Sequence, residues 1–457
     1  MGLTGWPVIG GSMLLTVLAA GYAVWTWNRP RLRITRRLSA LLGCQLLVLA
    51  SLGLVFNRQN SIYTSWNDLF GGNRGRVFTG VDAARMLHLP PGLLAPPARD
   101  RIVGGDQPAR PGDRPTDRPT DRPSDRPSDR PSDTVSPRPG GDRPAPGPGN
   151  RSAGWDRQLG HEWRGRHRDR HSMVVAVSIT GRTTGYELPG RLYLPAAYFR
   201  HAYAHARFPV IEFLDGFPGG PQSWVGFMHV QRLLDTEIAG GKLPPVIGVF
   251  PTQNVNQFRD TECVDAVRGT RADTYLSSDV PTWVQSRLRV RTDRDGWALM
   301  GYSTGGYCAV NLALRHPQRF STAVSLSGYF TPLTDRTTGD LYKGRTSVML
   351  SNDPQWLVRH SKLPPMHLFF GASMGDTAAV RAVNEFIPKL PPSLERQVAL
   401  LPDGGHNPEV WRILQPACYR WLGTHLAVLG GPATPPPSTP NRAVTANPHT
   451  TATPAPA

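Results

Sequence analysis

Trp297-Ala-Leu-Met-Gly-Tyr-Ser303-Thr-Gly-Gly-Tyr-Cys-Ala309 joins an apolar run that reads as a buried strand to a helical pattern continuing over 306–316. At the junction stands Gly301-x-Ser303-x-Gly305, the layout of a nucleophile elbow. A serine on a turn that tight leaves room only for glycine beside it, and its hydroxyl is exposed at the top of a sheet. The same turn aims the next backbone N–H, that of Thr304, and the start of the helix at a developing oxyanion. These residues point to acyl transfer.

In a chain with 47 glycines the motif is not specific by itself, and a second copy, Gly371-Ala-Ser373-Met-Gly375, also follows an apolar run. Chain order separates the two. In a hydrolase built on a parallel sheet, nucleophile, acid and histidine follow one another on successive strand-to-helix turns. Ser303 leaves room for several βα units before His406, whereas Ser373 leaves too few residues for the two that normally intervene. Ser303 is therefore the expected nucleophile.

His406 lies in Leu401-Pro-Asp-Gly-Gly-His406-Asn-Pro, a glycine-rich turn after the last apolar run, where an imidazole can take the serine's proton and pass it to a leaving group. The expected acid is Asp376, delivered by the loop after the run 366–370. Its plainer reading is an N-cap for a helix beginning near Thr377, and Glu385, Asp353 and Asp403 are rivals. A second oxyanion donor is expected from the N–H of Phe217, where Val210-Ile-Glu-Phe-Leu-Asp-Gly-Phe217-Pro-Gly-Gly ends a buried strand in a glycine-rich loop. No metal or organic cofactor is needed for this chemistry. The pairs His167/His171 and His201/His205 have helical spacing, but no acidic or cysteine partner recurs with them, so no metal site is expected. Arg101-Ile-Val-Gly-Gly105 resembles a trypsin-type activation site, yet no matching G-D-S-G-G surrounds a serine.

Strand-like runs at 173–179, 191–194, 209–214, 246–250, 297–300, 323–326, 366–370 and 398–401 alternate with helix-like stretches at 227–239, 275–288, 306–316, 377–390 and 409–426. That alternation predicts an α/β fold with a mostly parallel sheet flanked by helices. The expected organisation is a two-helix transmembrane hairpin (1–56), an extracellular juxtamembrane segment (57–97), a Pro/Arg/Asp-rich disordered linker (98–150), the catalytic domain (151–430) and a Pro/Thr/Ala-rich disordered tail (431–457). Residues 1–27 and 38–56 carry no charge, and the loop between them holds Arg29, Arg31, Arg33, Arg36 and Arg37. The positive-inside rule makes that loop cytoplasmic and everything after Phe56 extracellular. Five D-R-P-[T/S] units from Asp113 to Asp129 read as a semi-stiff tether holding the domain away from the membrane.

The net charge of +17 comes without any nucleic-acid recognition module, so no nucleic-acid partner is expected. The cluster Arg164, Arg166, Arg168 and Arg170 reads first as a solvated basic strip, and second as contact with anionic lipid or cell-envelope polymer. Four cysteines are too few for a disulfide scaffold, but Cys263 and Cys308 are expected to pair.

Thr274-Tyr-Leu-Ser-Ser-Asp-Val-Pro281-Thr-Trp283, the elbow, Leu314-Arg-His316-Pro317-x-x-Phe320, Ser327-Gly328 and His406-x-x-Glu409-x-Trp411 together resemble the esterase D group of α/β-hydrolases. The similarity is greatest to the antigen 85 mycolyltransferases and spans 174–426. It implies the α/β-hydrolase fold, a triad of Ser303, an acidic residue and His406, and oxyanion amides from Phe217 and Thr304. The sequence departs from that group in having no clear counterpart of its glutamate acid and in carrying two apolar spans. The expected activity is that of a membrane-anchored extracellular serine esterase or acyltransferase on an ester or lipid-like substrate. A serine peptidase or a non-catalytic envelope-binding protein on the same scaffold are the alternatives.

Overall fold

In the computed structural model, residues 2–27, 33–72, 75–90, 92–94 and 171–426 are described. The D-R-P-[T/S] repeats, the Arg164–Arg170 cluster, Arg29, Arg31, Arg101–Gly105 and the tail lie outside them. Helices α1 (Trp6–Thr26) and α2 (Arg33–Asn60) pack on each other, with Ser12 Oγ 3.0 Å and Thr16 Oγ1 3.2 Å from Ser51 Oγ. Both are long and apolar enough to cross a membrane.

A nine-stranded sheet carries the domain: β1 (Phe78–Thr79), β2 (Met173–Thr180), β3 (Glu187–Leu194), β4 (Val210–Leu214), β5 (Ile247–Pro251), β6 (Trp297–Tyr302), β7 (Thr322–Leu326), β8 (Met366–Ser373) and β9 (Leu394–Leu401). Their order is β1-β9-β8-β7-β6-β4-β5-β3-β2. The six strands from β5 to β9 pair in parallel, and β2, β3 and β1 add antiparallel edges. The central strands β4, β5, β6 and β7 are buried along their whole length, which is why they read as unbroken apolar runs and not as alternations. Helices cover both faces. Thr304–Arg315 packs on β6 and β7 on one side, while Val230–Ala239 and Pro408–His425 pack together on the other. This is the α/β-hydrolase architecture, with its loops of interest at the C-terminal ends of the parallel strands.

Edge strand β1 pairs Phe78 with Leu400 and Thr79 with Ala399, while α4 (Gly80–Met86) follows it onto β9. Gly80 N–H donates to Gln397 Oε1 at 3.1 Å. The stretch just after α2 is therefore seated on the domain and covers an exposed sheet edge. The semi-stiff tether expected over 98–150 lies outside the described residues.

Cys263 and Cys308 form the expected disulfide, stapling the nucleophile helix to the loop after β5. Its 45-residue separation makes it a large constraint on the unfolded chain. Replacing both cysteines by serine is expected to cost about 2–4 kcal/mol of stability, read as a shift in chemical unfolding.

Glu262 precedes the disulfide and is fully buried, accepting from Tyr329 Oη (2.8 Å) and from the Leu333 N–H (3.0 Å). Burial pushes its carboxyl up to about 8 against the pull of those donors. The folded chain thus keeps a proton on Glu262 where the unfolded chain has lost it, so this residue's contribution falls as pH rises from about 4.5 to 8. Glu262→Gln is expected to gain stability relative to the parent through that window and to hold a constant lead above it. Paired unfolding curves at pH 5 and 8 check the sign.

Candidate active site

Ser303 stands between β6 and the helix Thr304–Arg315 with φ 54° and ψ −124°. A positive φ is costly for a residue with a Cβ, and it persists only where the surroundings impose it. Here they do. Ser303 N–H donates to Leu326 O at 2.8 Å, and its own carbonyl accepts from Gly306 N–H at 2.9 Å. The next turn has no room to relax either: a Cβ on Gly305 would lie 2.3 Å from Leu214 O.

Three expected residues come together. His406 Nε2 is 2.9 Å from Ser303 Oγ, and His406 Nδ1 is 2.7 Å from Asp376 Oδ2. Because a carboxylate oxygen can only accept, Nδ1 carries the proton in that pair and Nε2 faces the hydroxyl. Asp376 is 2% exposed, whereas His406 is half-buried and open to the site. Asp376 also caps the helix Thr377–Phe386, with Oδ1 accepting from Ala379 N–H at 3.2 Å. The cap and the partner of His406 are one residue using two oxygens. Among the rivals, Asp353 spends its carboxylate capping the helix Pro354–His360.

The elbow's Thr304 is the first residue of its helix, so its N–H stands among the unclaimed donors of a helix N-terminus. Leu214 pairs with Gly301, so the loop from Asp215 through Phe217 leaves the sheet level with the elbow. The second motif copy has another use: Ser373 Oγ donates to Gly404 O at 2.6 Å and so holds the histidine loop.

Several residues beside the site were not legible from motif order. Asp260 Oδ2 accepts from Thr304 Oγ1 at 2.7 Å, fixing the side chain next to the nucleophile. Burial raises the Asp260 carboxyl above its ordinary value, and burial drives Asp215, under the oxyanion loop, well above its own. Trp411 sets its ring edge-on to His406, with centroids 5.2 Å apart, and stacks on Tyr302 at 4.5 Å. That explains His406-x-x-Glu-x-Trp411: the aromatic one turn on walls the imidazole. In Leu314-Arg-His316-Pro, by contrast, Arg315 and His316 both bind Asp273, at 2.7 and 2.5 Å, and tie the nucleophile helix to residues 272–274. Burial pushes Asp273 up, but the His316 hydrogen bond and the Arg315 charge outweigh it and hold the carboxyl below its usual range.

At the opposite end of the sheet His367, Glu395 and His425 form the one group among the described residues whose donor atoms gather as metal ligands might, all within 4.8 Å. Glu395 is hydrogen-bonded by both imidazoles at 2.9 Å, and His425 Nδ1 sits 2.7 Å from Trp421 O, so the trio fastens the last helix to the sheet.

Residues 181–368 match the family described as putative esterase. The chain is 26% identical over 270 residues to an uncharacterized protein of Corynebacterium glutamicum, covering 54% of this chain and 61% of that one. It is 28% identical over 142 residues to the diacylglycerol acyltransferase/mycolyltransferase Ag85A of Mycobacterium bovis, over 30% of this chain and 33% of that one. The match therefore spans about three-fifths and one-third of those relatives. Among solved structures, a ferulic acid esterase aligns with 57% of this chain and all of its own, at 20% identity and a TM-score of 0.49. With its elbow, sheet order and matched residues, the domain is similar to the putative-esterase family and to the esterase D and antigen 85-like group of α/β-hydrolases.

Proposed function

We propose that this chain is a membrane-anchored serine esterase or acyltransferase, acting on carboxylic esters outside the cell through an acyl-enzyme. One observation carries the reading: a single imidazole 2.9 Å from a strained serine hydroxyl and 2.7 Å from a buried carboxylate. Ser303 Oγ attacks the ester carbonyl as His406 Nε2 takes its proton. Asp376 keeps Nδ1 protonated and stabilises the imidazolium that forms. The N–H groups of Thr304 and Phe217 receive the oxyanion, the first backed by the dipole of its helix. His406 then returns the proton to the leaving alcohol. Water or an acceptor alcohol, deprotonated by the same imidazole, resolves the acyl-enzyme on Ser303.

Transfer to an alcohol is supported by the activity in Ag85A's name, and hydrolysis by the family description. The anchor reading rests on the two apolar helices and the five arginines at 29–37 between their uncharged stretches. The disulfide agrees with an oxidising, extracytoplasmic location for the domain.

Fluorophosphonate labelling of the full chain is expected to be lost in Ser303→Ala. Hydrolysis of short-chain p-nitrophenyl esters is expected to fall by about a millionfold in His406→Ala and by roughly ten-thousandfold in Asp376→Asn. A folded parent chain that takes up no probe and turns over no ester would overturn the reading. Protease added to intact cells is expected to cut the chain between 98 and 150, and protection until lysis would reverse the orientation.

A further inference from the structure

The stretch that follows α2 reaches the catalytic histidine directly. His406 N–H donates to the carbonyl of Ser61 at 2.9 Å, and Ser61 is the first residue beyond α2. The two flanking residues are held by Asp68: Gly405 N–H donates to its Oδ2 at 3.0 Å and Asn407 Nδ2 to its Oδ1 at 3.0 Å. Asn407 Nδ2 also reaches Ile62 O at 2.7 Å. Three consecutive residues of the histidine loop are thus bonded across more than 330 positions of sequence to residues 61–68.

Asp68 is itself built in. It is 2% exposed, and it takes the Thr64 N–H at 2.9 Å within the same short turn. Ser65 Oγ accepts from Asp68 N–H at 3.1 Å as the cap of α3 (Trp66–Leu69). The approach is close enough to dictate a glycine, since a Cβ on Gly405 would lie 2.2 Å from both Ser61 O and Ile62 O. None of these contacts belongs to the triad or to its oxyanion donors.

We infer that Asp68, with the backbone of Ser61 and Ile62, is a positioning device that sets the His406 loop against Ser303, so that the anchor segment completes the active site. The inference rests on the proposed hydrolase function. Two anchored pieces are rigidly joined by it. The apolar span of α2, Ile34–Asn60, has 27 residues, about 40 Å of helix against a hydrocarbon core of about 30 Å. Its last turns therefore stand in the head-group layer. Trp66 and Phe70, stacked at 6.2 Å and largely exposed, follow at the level where aromatic side chains favour the membrane interface. The loop carrying His406 is fastened at that level. A deacylating imidazole held there by hydrogen bonds responds to how the anchor is seated.

The test uses the full chain in detergent micelles. Asp68→Ala removes acceptors from Gly405, Asn407 and Thr64 at once and is expected to lower kcat for a p-nitrophenyl ester by tenfold to a hundredfold, with KM within about twofold. The rate of fluorophosphonate labelling should fall in parallel. The isosteric Asp68→Asn keeps the oxygen for Gly405 but turns an amide toward Asn407, so its kcat should lie between. If Asp68→Ala does not fold, Asp68→Asn decides alone and must still lose severalfold in kcat. A folded variant with the parent's kcat and labelling rate, or one changed only in KM, overturns the inference while leaving the hydrolase reading intact. A parent chain without labelling or turnover sinks both.

Discussion

The point on which the rest depends is the crossing of β6, β4 and the nucleophile helix, where backbone meets backbone without side chains between. Gly305 lies against the carbonyls of Leu214 and Asp215, which also begin the loop that carries Phe217. The approach fixes two things at once: Ser303 is forced to a positive φ, and the loop bearing Phe217 leaves the sheet beside it. A larger residue at 305 would separate nucleophile from oxyanion donor before it disturbed any hydrophobic contact. Precision of this kind comes from steric exclusion and from parallel register, and the surrounding apolar packing only maintains it.

Around that crossing lies an unusual amount of buried acid. Glu212 within β4, Asp215 at its end, and Asp260 and Glu262 in the loop after β5 are all almost fully buried, and burial raises every one of their carboxyls. Two of them act as short polar struts: Asp260 accepts from Thr304, and Glu262 from Tyr329 and Leu333. Stability at alkaline pH is the corresponding cost, because each of these groups resists ionisation that the unfolded chain undergoes freely.

Much of the site was legible because its parts fall where a parallel sheet must put them. The strand-like runs at 297–300, 323–326 and 366–370 mark β6, β7 and β8 to within a few residues, since buried strands leave continuous apolar signatures. Asp376 was readable as acid or as cap, and the two descriptions turn out to be compatible because a carboxylate has two oxygens to give. What motif order could not supply was contact between distant polar atoms: Asp260 with Thr304, or Asp68 with Gly405. The seating of the stretch after α2 was hidden for a related reason. β1 has only two residues, too few for any period, and its pairing with β9 is written in backbone hydrogen bonds. A hint did stand in the sequence, since Ser65-x-x-Asp68 is a capping pattern that marks a folded turn within 57–97.

The His406 loop gathers these constraints. On one side Ser373 Oγ grips Gly404 O, on another Trp411 walls the imidazole, and on a third Ser61 and Asp68 hold the backbone of 405–407. In the proposed mechanism the imidazole takes up and gives back protons, which needs its ring free and its backbone fixed. Half-buried, with its N–H, both neighbours and one ring face spoken for, His406 meets that requirement through contacts made in nearly equal measure by the catalytic domain and by the segment leading out of α2. The domain's loop is thereby shaped by the stretch after α2 as well as by its own core.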